Sequence, residues 1–359
     1  MSIPPDPGRA GQPHTSEIIY RQSLPDRAEL GPACLLICDQ VLLGSADPAV
    51  RNWIASFAAA YAVAAGEGLK DVAALAEHAR RLIELSAPLA TSQLRVVAVG
   101  GGSVGDFAGF FASIFKRGVP LIHIPSTWLA ALDSAHGGKN ALNVGLVKNQ
   151  LGTYHWPAQV YLVRSLLATQ PPERARECFG ELAKIALTDD LPWTKELTDS
   201  ALQGGELLWK FLPDAVAAKY RIVDADPFER LGLRHRLNLG HTVGHVLETL
   251  HQLPHGVAVA QGLRFALGWS AARGQLSAVE HDQICGWLDR RFALRDLLPT
   301  LPRLAQDRFA QVLIQDKKRT TDSSLQFVFV SGRGRVATQP VRVQDVISEA
   351  IRQGYVHAE

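Results

Sequence analysis

The sequence predicts a two-part chain: an α/β N-terminal domain built on a parallel sheet, followed by a mainly α-helical C-terminal domain. Three observations carry this. At 359 residues the chain exceeds what one ordinary compact core holds. Its first half alternates short apolar runs with helical patterns, the order that sets parallel strands side by side with helices on their faces. From about Thr169 the texture changes to amphipathic helices.

The elements follow in order. The opening stretch MSIPPDPGRAGQPHTSE has no apolar core and reads as a loose tail over 1–17, not a secretory signal. ACLLICD (33–39), RVVAVGG (95–101), PLIHIPS (120–126) and QVYLV (159–163) read as buried strands of a domain over 18–168. DVAALAEHARRLIELS (71–86) and DFAGFFASIFKRG (106–118) read as helices between them. The turn TQPPE (169–173) marks the boundary. In the second domain, 169–359, ECFGELAKIAL and AVAQGLRFALGWSAARG read as helices, and SLQFVFVSG with GRVATQPV as a hairpin. A cleft between two such domains is the usual place for a site.

Composition excludes several function classes. Hydrophobic residues make up 47% and charged residues 20%, which suits a soluble globular enzyme. The 37 basic and 35 acidic residues nearly cancel, so nothing argues for a nucleic-acid or membrane partner. No apolar run is long enough to span a bilayer. Cys34, Cys38, Cys178 and Cys285 are scattered, with no Cys-x-x-Cys pair, and read as reduced thiols of a cytoplasmic protein.

RVVAVGGGSVGDFAGF places Gly100-x-Gly102-x-x-Gly105 after a strand and before a helix. That is the Rossmann-like setting of the dinucleotide fingerprint, where glycines admit a pyrophosphate and the helix N-terminus attracts its charge. The bland alternative is a glycine turn of any α/β protein. No acid stands about twenty residues on, so the ribose partner lies elsewhere, with Asp39 and Glu67-x-x-Lys70 as candidates.

A catalytic metal with an open position needs three protein ligands. His241, His245 and His255 fall within fifteen positions and offer nitrogens. Spacing does not say which two bind, and a lone histidine is more often a packed or surface residue. Glu181 in FGELAK stands one helical turn before Lys184, a pairing that is ordinarily a solvated ion pair. The stretch DSAHGGKNALNVGLVKNQLG (133–152) gathers Asp133, Lys139, Asn143, Lys148 and Asn149 around glycines. It reads as a loop beside a phosphorylated or carboxylated ligand, or as an ordinary solvated loop. Arg117, Lys219, Arg234, Lys317 and Lys318 are candidates to join it.

Taken together, these motifs resemble 3-dehydroquinate synthase and the wider sugar-phosphate cyclases, from about residue 30 to 335. GGGSVGDFAGFFASIFKRG resembles the family's glycine loop, and IPSTWLAALDSAHGGKNALN with KNQLG its substrate loop. GELAK resembles its Glu-x-x-Lys segment, RHRLNLGHTVGHVLE and HGVAVAQG its histidine blocks, and DKK its late lysines. The resemblance implies a dehydroquinate synthase-like fold. It also implies a divalent metal, zinc with cobalt as the alternative, on Glu181, His241 and His255, with His245 facing the substrate. NAD would be lined by Asp39, Glu67, Lys70, Gly101, Gly102, Asp106, Ser126, Thr127 and Thr169. A phosphorylated sugar acid would meet Asp133, Lys139, Lys148, Asn149, Lys184, Lys219, Arg234 and Asn238, with one of Lys317 and Lys318. Arg117 would reach the phosphate in a neighbouring subunit, which implies a homodimer. The implied reaction oxidises the substrate transiently with NAD, eliminates phosphate, and closes a carbocycle by an intramolecular aldol step.

The chain departs from the family pattern in places. Val257 stands where the family usually has the glutamate of His-Gly-Glu, and His136 where a small or apolar residue is common. DADPFERLGLR carries one extra residue, which makes the alignment of Lys219 and Glu229 looser than that of Arg234. The competing readings are a cyclase acting on another sugar phosphate, such as sedoheptulose 7-phosphate, a metal-dependent alcohol dehydrogenase sharing GGGSVGD, and a non-catalytic NAD- or metal-binding relative. The intact set Lys219, Arg234 and Asn238 favours a carboxylate-bearing substrate, and DSAHGGKNALN favours a cyclase over a dehydrogenase.

Overall fold

The computed structural model describes residues 16–145, 147–292, 300–315, 319–321 and 324–358. The chain divides between Arg174 and Ala175 into two compact units. Lys317 and Lys318 lie outside the described residues.

The N-terminal unit is a six-stranded sheet in the order β1-β8-β5-β4-β2-β3, with every pairing parallel. The strands are β1 (Glu17–Arg21), β2 (Ala33–Asp39), β3 (Ala59–Val63), β4 (Leu94–Gly100), β5 (Leu121–Pro125) and β8 (Gln159–Val163). The helices are α1 (Pro48–Ala55), α2 (Leu75–Ser86), α3 (Gly102–Ile114) and α4 (Arg164–Leu167). Alternation along a strand sends its side chains to two separate cores. Leu35 and Ile37 of β2 join Val96, Val104 and Phe107 in one core, while Cys34, Leu36 and Cys38 join Val97, Ile122 and Tyr161 in the other. Both faces of β2 are therefore buried, which is why ACLLICD shows no polar alternation. The four cysteines of the chain are buried free thiols.

Three features were not legible in the sequence. β1 begins at Glu17, the last residue assigned to the tail, and β3 lies in an alanine-rich stretch without strong strand character. The expected loop over 133–152 is instead largely an antiparallel hairpin, β6 (Lys139–Val144) and β7 (Val147–Tyr154). Its glycines and polar residues conceal the strand, but Leu142 is fully buried and belongs to the core beneath α3. Gly109 of α3 makes room for it, since a Cβ there would stand 1.8 Å from Asn140 Oδ1.

The C-terminal unit is mainly helical: α5 (Pro172–Thr188), α6 (Trp193–Asp199), α7 (Gly204–Ala225), α8 (His241–His251), α9 (His255–Ala272), α10 (Ala278–Phe292), α11 (Gln306–Gln315) and α12 (Val343–Arg352). The expected hairpin forms between β10 (Ser324–Gly332) and β11 (Arg335–Arg342), with short β9 (Arg319–Thr321) on its other side. From Cys178 to Leu187 every residue of α5 is buried, so that half is a core helix and not an amphipathic surface one. Among the described residues no helix is long and apolar enough to cross a membrane.

Candidate active site

In the N-terminal unit the site candidates collect at the carboxyl ends of neighbouring strands, where ligands of open α/β sheets bind. Asp39 ends β2 and caps the following turn, accepting a hydrogen bond from Val41 N at 3.1 Å. Gly101 and Gly102 join β4 to α3, and Ser126 and Thr127 follow β5. The two turns are tied by Ser126 N donating to Gly100 O at 2.9 Å. They leave little room for side chains at the glycines. A Cβ at Gly101 would stand 3.2 Å from Thr127 Cγ2, and one at Gly102 3.1 Å from Ser134 Oγ. Asp133 lies in the turn Ala130–Ser134 after β5, and Thr169 closes α4 by donating to Leu166 O at 2.6 Å.

The hairpin brings residues from distant sequence positions into one polar network. Buried Lys70 donates to Asp106 Oδ2 at 2.6 Å and to Asn149 Oδ1 at 2.7 Å. Asn143 donates to Glu67 Oε2 at 2.7 Å and accepts from Asn149 N at 2.8 Å. Lys148 Nζ stands 3.9 Å from Glu67 Oε1. Glu67, Lys70, Asp106, Lys148 and Asn149 are thus assembled as a group. Asn143 binds them together, although sequence reasoning weighed it only as part of a polar stretch. Lys139 opens β6 with its side chain exposed. Arg117 is not brought to this group. It sits beyond the far end of α3, and a helix of 13 residues runs about 20 Å. Lys116 and Arg117 hold φ of 48° and 68°, a left-handed conformation that non-glycine residues seldom adopt.

In the C-terminal unit three helices build one pocket. Glu181 of α5 is fully buried, and its Oε1 lies 3.2 Å from His241 Nε2 and 3.1 Å from His255 Nε2. Lys184, one turn along α5 and equally buried, pairs with Glu181 Oε2. The solvated ion pair expected for Glu-x-x-Lys is therefore a buried one. His245 packs beside the three donors without joining their set. Its ring centroid is 5.1 Å from that of His241 and 6.3 Å from that of His255, and it is not in the group of potential ligands.

Glycines let these helices approach closely enough. A Cβ on Gly180 would stand 1.9 Å from Gly256 O, so α5 and α9 touch backbone to backbone beside Glu181 and His255. A Cβ on Gly262 would stand 1.8 Å from Gly240 O, which sets α9 against the start of α8 beside His241. Neither contact is visible from spacing, because each pairs glycines of different helices.

The donor set suits a divalent metal. Tetrahedral ligands on bonds of about 2.0–2.1 Å stand roughly 3.3 Å apart. The Glu181–His241 and Glu181–His255 separations are close to that, and the three donor atoms all lie within 4.8 Å of one another. Burial alone would raise the Glu181 carboxyl, but Lys184 and His241 hold it well below the ordinary carboxylate range. Burial and the charge of Lys184 push His241 down to about 4, so it offers a neutral imidazole. Burial lowers His255 too, yet contacts with Glu181 and Glu248 lift it to about 10. The same space attracts a cation, as a proton or as a metal.

The anion-binding candidates of this unit are also buried: Lys219 on α7 and Arg234 on a 3-10 turn over Leu233–Asn238 that packs against α7. Asn238 ends that turn, three residues before the first residue of α8. Asp226 shapes the preceding loop. Its Oδ1 accepts from Arg230 N and Leu231 N at 2.7 and 3.0 Å, and its Oδ2 from Leu233 N at 2.9 Å and Arg234 N at 3.5 Å. Burial would raise this carboxyl, but the four backbone donors hold it below its ordinary value. Sequence reasoning missed Asp226 and also Glu248, whose Oε2 lies 2.8 Å from His255 Nδ1.

Comparison with known proteins identifies the family and the fold. The family model described as 3-dehydroquinate synthase N-terminal matches residues 60–177, and that described as 3-dehydroquinate synthase C-terminal matches 178–319. A 3-dehydroquinate synthase of Pyrobaculum aerophilum is 35% identical over 296 residues, covering 80% of this chain and 83% of the relative. A 2-deoxy-scyllo-inosose synthase solved with carbaglucose-6-phosphate, NAD+ and Co2+ superposes with a TM-score of 0.77 at 25% identity, covering 94% of this chain and 96% of that one. A 2-epi-5-epi-valiolone synthase from Streptomyces hygroscopicus subsp. jinggangensis 5008 shares the fold, with a TM-score of 0.79 at 22% identity over 95% of this chain and 97% of that one.

Proposed function

This chain belongs to the 3-dehydroquinate synthase family, and we propose that it converts 3-deoxy-D-arabino-heptulosonate 7-phosphate to 3-dehydroquinate and phosphate in the shikimate pathway. One observation carries the reading: Glu181, His241 and His255 converge as a three-donor set with Lys184 beside them. The enzyme is a phosphate-eliminating cyclase. It uses NAD and a divalent metal, as the structural relative solved with NAD+ and Co2+ suggests. When bound, these groups supply a reversible oxidation and a Lewis acid for charge on oxygen.

The chain's own residues bind and orient. Glu181, His241 and His255 hold the metal. Asp39, Glu67, Lys70, Gly101, Gly102, Asp106, Ser126, Thr127 and Thr169 take the dinucleotide. Lys184, Lys219, Arg234 and Asn238, with Asp133, Lys139, Lys148 and Asn149, surround the substrate, and the cations among them take its two anionic ends. Cations in buried positions act with little solvent screening, so they fix those ends strongly. His245 faces the substrate and not the metal. Arg117 completes the phosphate site of a second copy, which makes the working enzyme a homodimer, and its location is the cytoplasm.

The test is one incubation with 3-deoxy-D-arabino-heptulosonate 7-phosphate, NAD and zinc, reading phosphate and NADH together. We expect stoichiometric phosphate release without net NADH. Turnover of sedoheptulose 7-phosphate with none of the heptulosonate overturns the substrate assignment. Net accumulation of NADH points to a dehydrogenase instead.

A further inference from the structure

His255 is held at both ring nitrogens. Nε2 faces Glu181 at 3.1 Å, and Nδ1 faces Glu248 Oε2 at 2.8 Å. Glu248 stands near the end of α8 and His255 opens α9, so a sharp reversal brings them together. Gln252, with φ of 53°, and Pro254 make that reversal. His241 is anchored differently, with Nδ1 3.2 Å from the main-chain Leu239 O. One imidazole of the pocket therefore leans on a neutral carbonyl and the other on a carboxylate.

An imidazole that ligates a metal through Nε2 must carry its proton on Nδ1. An acceptor there fixes the tautomer and the ring plane, and a carboxylate also makes Nε2 a stronger donor. The residue two positions after His255 is Val257, which brings no carboxylate to this ring. We propose that Glu248 is a positioning residue of the metal pocket, holding the Nδ1 proton of His255 so that its Nε2 lone pair faces the ion. Retention of the metal in this chain then depends on Glu248. This rests on the reading of Glu181, His241 and His255 as the metal ligands.

Glu248→Gln keeps the shape and an oxygen acceptor but removes the charge. Zinc affinity is measured on the full chain by competition with a chromogenic chelator, for wild type, Glu248→Gln, His255→Ala and the double variant. We expect Glu248→Gln to bind zinc about 10- to 100-fold more weakly. Thermal unfolding of the metal-free protein should stay close to wild type. In the His255→Ala background the same change should have no further effect. Zinc affinity of Glu248→Gln within twofold of wild type overturns the proposal, as does an equal loss in both backgrounds. A wild-type chain that binds no zinc sinks the metal reading itself and this proposal with it. Should Glu248→Gln fold poorly, Glu248→Asp in the same assay decides. An affinity between those of wild type and His255→Ala supports the role, and wild-type affinity overturns it.

Discussion

The two polar centres of the molecule contain similar residues but are built in opposite ways. In the N-terminal unit, Lys70, Glu67, Asp106 and Asn149 meet on turns and a hairpin at the ends of strands. Their side chains range from nearly buried (Lys70, 9% exposed) to open (Glu67, 58%). In the C-terminal unit, Glu181 and Lys184 sit on a core helix with 0% and 2% exposure. Water can replace a lost partner in the first centre and cannot in the second. The same kind of substitution should therefore cost very different amounts in the two places, and the predictions below test that difference from its largest consequence downward.

Glu181→Ala should be the most damaging. It removes the carboxylate that pairs with the buried Lys184 ammonium, and breaking a buried ion pair costs about 3–5 kcal/mol. It also removes the carboxylate oxygen that both histidines face. Denaturant unfolding and metal analysis should show a large loss of stability together with loss of the ion. A variant that unfolds like wild type would mean that the Glu181–Lys184 pair contributes little to stability.

Gly262→Ala should come next. Its methyl meets the Gly240 carbonyl at 1.8 Å, and overpacking of this kind costs roughly 1–3 kcal/mol or more because backbone must move. The movement separates α9 from α8 and so His255 from His241. Zinc affinity should fall with stability. Gly68→Ala, where nothing lies within 4 Å, should leave both unchanged.

Lys70→Met belongs to the open centre and should cost less. It removes charge-assisted hydrogen bonds to Asp106 and Asn149, worth about 1.5–3 kcal/mol in favourable settings, and the part-exposed Asp106 can turn to water. Calorimetric NAD titration should show weaker binding with metal content unchanged. Loss of metal on this change would contradict the independence of the two centres.

The same contrast decides how much was legible in the sequence. Strands such as ACLLICD are readable because burial on both faces leaves an unbroken apolar run. The glycine loop is readable because Gly100, Gly101 and Gly102 are consecutive, and each faces a side chain that a Cβ would crowd. The hairpin over 139–154 was hidden, since its strands carry polar residues aimed at the Lys70 network. The buried state of Glu181–Lys184 was hidden too, because one helical turn between opposite charges looks the same in the core and on the surface. What separates the cases is Gly180 against Gly256, a contact between positions 76 apart that no local pattern encodes. Asp226 and Glu248 were missed for a related reason, as their partners are fixed by loop reversals rather than by helix or strand periodicity.

Asp226→Asn probes the intermediate case, a buried carboxylate whose partners are all backbone donors. An amide offers one acceptor oxygen and turns an NH2 group toward the remaining N–H groups. The cost should be about 1–3 kcal/mol at neutral pH. The native carboxylate is held below its ordinary value, so its contribution is complete above the unfolded aspartate value of about 4. It disappears as pH falls through the lower folded value. The stability gap between wild type and Asp226→Asn should therefore be constant from neutral pH down to about 4 and close below it. A gap that stays open at low pH would mean that the variant is damaged by steric misfit and not by loss of the charge that these four donors select.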